Sequence, residues 1–179
     1  MIDGRELKTV DSGSVLNVAL IAPEIPHNTG NIIRLCANVG ARLHLLEPIG
    51  FLLDNPGLRR ASLDYGDLAE VLVHSSIEAL FESVFPGEVY GAVTQGAALY
   101  TTPRYQQGDT IIFGSESVGL SSHVVDKIHF ENRVQIPMMP ANRSLNLSNA
   151  EAIIVYEMWR QIGFLGAASL PDKEQLHFS

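Results

Sequence analysis

Strand and helix patterns that alternate along 179 residues predict an α/β fold, a mostly parallel sheet with helices on both faces. Short apolar runs bounded by Gly, Pro, Asp or Ser recur along the chain, and segments of helical period stand between them. The length suffices for one such domain with a proper core, and not for two.

In chain order, the expected strands are Val15–Ala22, Arg42–Glu47, Val71–His74, Val89–Thr94, Thr110–Phe113 and Arg133–Ile136. A first helix is expected from Asn28, read as its N-cap, with Ile32, Leu35, Cys36 and Val39 on an apolar stripe. Gly40 stands where a left-handed residue stops a helix. The opposite stripe, Asn31, Arg34 and Asn38, offers amides and one guanidinium. A second helix is expected to open at Ser148, with Glu151 three residues on as the partner in a capping box, and to run to Gly163. Its segment Ala152–Tyr156 is apolar all round, which fits a central helix or one shared with another chain. Residues 1–14 read as an extension, 15–165 as one domain and 166–179 as a tail.

Composition narrows the function. No apolar run approaches the length of a membrane span, and the mixed-charge N-terminus lacks a secretory pattern. One cysteine, Cys36, excludes an internal disulfide and a cysteine metal cluster, so a cytoplasmic protein without a metal is expected. The net charge of −8 weighs mildly against a nucleic-acid partner. That charge is uneven, however: Asp64, Asp67, Glu70, Glu78, Glu82 and Glu88 lie in a stretch without Lys or Arg, while residues 1–60 balance. The GxGxxG turn, the phosphate-binding P-loop, histidines at metal-ligand spacing and the GxSxG elbow are all missing.

What remains is three segments, each following an expected strand: PEIPHNTGNIIRLCAN (23–38), FGSESVGL (113–120) and IPMMPANRSLNLSNA (136–150). In an open α/β sheet, ligands bind beyond the carboxyl ends of the strands, where these three would gather. Gly, Asn and Ser present amides and short hydroxyls to a polar ligand.

Together, in this order, the three segments resemble the motifs of the SPOUT class of RNA methyltransferases in its ribose 2′-O branch. With LRRASLDY (58–65), the likeness narrows to the short tRNA (cytidine/uridine-34-2′-O)-methyltransferases and covers residues 16–165. It implies a C-terminal deep trefoil knot, with knot loops around 92–96, 114–120 and 136–148, and a homodimer. It also implies S-adenosylmethionine held in bent form at Ala92, Gly114, Ile136 and Ser144, and methylation of the ribose 2′-hydroxyl of the wobble nucleotide in the tRNA anticodon stem-loop. Carried onto this chain, the catalytic group is Arg34, Glu116, Ser144 and Asn146, and the RNA-binding group is Asn28, Arg34, Arg59 and Arg60. A guanidinium stays protonated at ordinary pH, so Arg34 is expected to clamp phosphate and developing alkoxide rather than act as base. Two alternatives stay open: a ribosomal RNA ribose methyltransferase, and a catalytically silent RNA-binding protein of the same fold.

Overall fold

The computed structural model describes residues 14–52, 69–141 and 144–169. Arg59 and Arg60, with the rest of LRRASLDY, lie outside the described residues, as do Arg143 and residues 1–13.

Seven strands form one sheet: β1 (Asn17–Ile21), β2 (Arg42–Leu46), β3 (Val71–His74), β4 (Val89–Ala92), β5 (Ala98–Leu99), β6 (Thr110–Phe113) and β7 (Arg133–Gln135). Their order is β3-β2-β1-β6-β4-β7-β5, and every pairing is parallel. The helices are α1 (Pro26–Val39), α2 (Ile77–Val84), α3 (Ser122–Val125) and α4 (Leu147–Gln161), with a 3₁₀ turn at Phe130–Asn132.

Both faces of the sheet are covered, as its apolar strands require. Alternate residues of β1 point to opposite sides. Val18 and Leu20 join the core under α1 and α4, with Ile32, Cys36, Ile154, Val155 and Met158. Ala19 and Ile21 join the core under α2 and α3, with Ile77, Leu80, Val84 and Val124. At about 25 cal/mol per Å² of apolar surface, these two layers supply the main driving force for folding.

The helix starts differ from expectation. α1 begins one turn's worth of backbone earlier, with Ile25 as N-cap and Pro26 in the first turn. Proline's fixed φ suits that position, and its missing N–H would have been unpaired there anyway. Asn28 is therefore inside the helix and free to use its side chain elsewhere. At the other end Gly40 adopts φ 69° and donates its N–H to the Cys36 carbonyl, as expected. Helix α4 is capped by Asn146, whose side chain accepts from the N–H groups of Ser148 and Asn149. Ser148 is not the cap and Glu151 takes no part in a capping box; Glu151 is instead fully buried.

Candidate active site

Four segments meet at the carboxyl edge of the sheet: those after β1, β4, β6 and β7. They enclose a cavity of about 430 Å³. Ala92, Gly114, Ile136 and Ser144, the four positions expected to hold a cofactor, all line it. Asn28, Glu116 and Asn146 line it as well. Arg34 does not; it lies six positions past Asn28 on α1, half-buried, with its Nε out of solvent.

A chain of hydrogen bonds ties the segments together. The Glu116 carboxylate accepts from the backbone N–H of Glu24 at 2.9 Å and of Ile25 at 3.2 Å, and from the Asn28 side-chain amide at 3.0 Å. Asn146 donates to the Asn28 side-chain oxygen at 3.2 Å. The Asn146 oxygen accepts from the Ser148 hydroxyl at 2.7 Å and from the N–H groups that open α4. Each amide thus has its orientation fixed, since swapping oxygen and nitrogen would set donor against donor. Across the same gap, Ser117 donates its hydroxyl to Glu24 at 2.6 Å and its N–H at 3.2 Å. The β1–α1 and β6–α3 loops are therefore clasped reciprocally, glutamate of each to backbone of the other.

This geometry gives Glu116 a definite job. Its charge sits at the N-terminus of α1, where the helix dipole and unpaired N–H groups favour an anion by ~0.3–1 kcal/mol. Three donors already occupy its two oxygens. Such a carboxylate holds the two loops in place.

At Gly114, one of the positions expected to hold the cofactor, the missing side chain would let a ligand approach the backbone closely. The structure supplies a nearer reason: a Cβ there would lie 1.9 Å from the Gly119 carbonyl carbon and 2.1 Å from the Leu120 nitrogen. The 115–119 loop folds back on Gly114, closed by a bridge between Ser115 and Gly119, with Gly119 at φ 75°.

Sequence reasoning missed Glu24 and Ser117, although both stand in the quoted motifs, because their pairing needs two loops 93 residues apart to meet. It also missed Glu151. That carboxyl is fully buried on α4, and neither oxygen has a hydrogen-bond partner. Burial first, and then the Glu116 charge, push its pKa well above the usual carboxylate range. Away from the site, a second buried polar group joins His44, His74 and Asn17 on the strands.

Residues 15–156 match the model of the SpoU rRNA Methylase family. The chain belongs to that family. A tRNA (cytidine(34)-2′-O)-methyltransferase of Aeromonas hydrophila is 48% identical over 153 residues, which cover 86% of this chain and 98% of that protein. The protein of the same description from Escherichia coli K12 is 47% identical over 153 residues, with the same coverage of both chains. A solved structure described as giving insight into 2-OH methylation of C/U34 on tRNA superposes with a TM-score of 0.78 at 38% identity, covering 83% of this chain and 97% of that one. Among the described residues, no helix is long and apolar enough to cross a membrane.

Proposed function

We propose that this SpoU-family chain methylates the ribose 2′-hydroxyl of the wobble nucleotide, position 34, in tRNA, using S-adenosylmethionine. The observation that carries the reading is the cavity itself. Its walls bring together Ala92, Gly114, Ile136, Ser144 and Asn146 at the sheet edge, and the relatives that this chain covers almost end to end are described as methyltransferases of tRNA cytidine 34.

The cavity's chemistry fits the cofactor. About 430 Å³ is within the range of small-molecule sites. Among the described residues its only charged lining side chain is Glu116, an acid, which suits a sulfonium cation and opposes a phosphate-bearing nucleotide. Ala92, Gly114 and Ile136 offer an apolar wall and backbone groups to a purine ring, and Ser144 a hydroxyl. S-Adenosylmethionine supplies an electrophilic methyl group.

This chain's own residues hold and orient. Asn28, Glu116 and Asn146 fix the loops on either side of the cavity, and holding reactants in line is worth up to ~7–11 kcal/mol. Ser144 and Asn146 line the cavity that the ribose must enter. Arg34, outside the cavity lining, is assigned as the clamp on the RNA phosphate and on the developing alkoxide where the RNA meets the site; the proton leaves to phosphate or water. Arg59 and Arg60 add phosphate contacts. Glu116 is assigned to positioning, on the strength of its three donors.

The finer architecture belongs to the same reading. A trefoil knot in the C-terminal half is supported by the sheet order, in which β6 and β7 enter on either side of the earlier β4. One methyltransferase domain spans residues 15–165, in a cytoplasmic protein. A homodimer is supported by α4: Ile154 and Val155 are buried, while the apolar side chains of Ile153 and Tyr156 remain exposed, next to Phe164 and Leu165.

The test is binding and transfer together. Calorimetry should show S-adenosylmethionine bound to the purified protein, and radiolabelled methyl should pass to tRNA rather than to ribosomal RNA. Transfer to ribosomal RNA alone would move the substrate; binding without transfer to any RNA would leave the silent RNA-binding protein.

A further inference from the structure

Glu151 has no role in capping and none in the clasp, yet it occupies a costly place. Helices α1 and α4 pack against each other, and α4 turns one side to the cavity through Leu147, Ala150 and Ile154. Glu151, between those positions, is fully buried. Both of its oxygens lack a partner, and so does the buried hydroxyl of Thr29, the α1 residue next to Asn28. A buried polar group left unmatched is strongly disfavoured, and an apolar side chain of similar size would pack there without that burden.

We infer that Glu151 is a positioning residue for methyl transfer: packed behind the cavity wall, its carboxyl group sets the spacing of the helix starts that carry Asn28 and Asn146, and through them the Glu116 clasp. This rests on the function proposed above.

The group works as an uncharged acid. Burial and the nearby Glu116 carboxylate both oppose its ionisation. The titratable group facing it from α1 is the Cys36 thiol, which is held protonated first by its own burial; an ionised Glu151 would only oppose its ionisation further. Glu116, in the loop after β6, is the charge that acts on it. Ionised Glu151 would therefore be a dry anion beside a second anion, and relief would come from separating α1 and α4 at the end that shapes the cavity. Activity then falls on the alkaline side as this proton is lost.

Three proteins test this: the wild type, Glu151→Gln and Glu151→Leu. Melting temperature, S-adenosylmethionine affinity, and kcat and KM for tRNA methylation are followed from neutral to alkaline pH. Gln keeps the size and hydrogen-bonding capacity without the ionisation, so its kcat should match the wild type at neutral pH and lack the alkaline decline. Leu should raise the melting temperature, since a buried polar group is removed, while lowering kcat about tenfold with KM for tRNA little changed. A more stable Leu variant with wild-type kcat at every pH would overturn the inference, because the carboxyl would then be filling space alone. If Leu does not fold, the Gln profile decides: an alkaline limb identical to the wild type overturns it. If the wild type transfers methyl to no RNA, the function proposed above has failed. The positioning role is then read from cofactor affinity, and equal affinity in all folded proteins at every pH overturns it.

Discussion

Replacing Glu116 by Gln changes one atom of a carboxylate that binds three N–H donors, at 2.9, 3.0 and 3.2 Å. The amide nitrogen must face one of the two sides. The better choice turns it toward the Glu24 N–H, keeping the bonds from Ile25 and Asn28 on the remaining oxygen. One charge-assisted hydrogen bond is lost, worth about 1.5–3 kcal/mol when buried, and two become neutral, each losing up to about half its strength. The partly exposed position reduces these figures, so the net cost is about 2 kcal/mol. In a domain of this size that lowers the melting temperature by about 4–8 °C. Scanning calorimetry reads the shift, and titration with S-adenosylmethionine reads the accompanying loss of affinity as the loops loosen. An unchanged melting temperature, with kcat reduced more than about a hundredfold, would refute the reasoning. Glu116 would then act on the reacting groups rather than on the loops.

Gly114→Ala should cost at least about tenfold in S-adenosylmethionine affinity, because the new Cβ meets loop backbone at 1.9 Å and that backbone walls the cavity; calorimetry with an unaltered Kd would contradict this. The His44 pair predicts acid sensitivity. Asn17 donates to the Gly108 carbonyl, so its oxygen faces His44, whose Nε2 must donate at 3.2 Å. His44 Nδ1 is then the acceptor for His74 Nε2 at 2.9 Å, and a further proton would set donor against donor. Burial first, then the His74 and Arg42 charges, lower the His44 pKa to about 4. The unfolded chain binds this proton near pH ~6.5, so stability is present above that value and is lost as pH falls toward 4. Urea unfolding should show a loss of about 2 kcal/mol between about pH 7 and pH 5, and equal midpoints would rule it out.

The parallel sheet and the edge where the cavity opens were legible because apolar strand cores and glycine- or asparagine-rich loops leave direct marks in sequence. All six expected strands formed: Val71–His74 and Thr110–Phe113 with the expected bounds, the other four shortened by one or two residues at one or both ends. The two-residue strand Ala98–Leu99 was too short to show a period, and it exists because β7 offers it a partner. The cap assignments failed for a common reason. Asn28 and Ser148 both have good local chemistry for an N-cap, but Pro26 starts α1 earlier and Asn146 reaches the N–H groups of α4 first. Asn28 was then drawn into a contact with Glu116, 88 positions away. Local propensity cannot anticipate such a contact, nor can it show that Glu151, an ordinary helix-forming residue in sequence, ends fully buried beside the cavity-lining Ala150.

The central claim is tested most directly by mapping the methyl group. A ribose 2′-O-methyl blocks alkaline cleavage of the bond on its 3′ side, so tRNA treated with this protein and S-adenosylmethionine should show a gap in the alkaline ladder at nucleotide 34. A methyl group found on a base, or on the ribose of another nucleotide, would contradict the account.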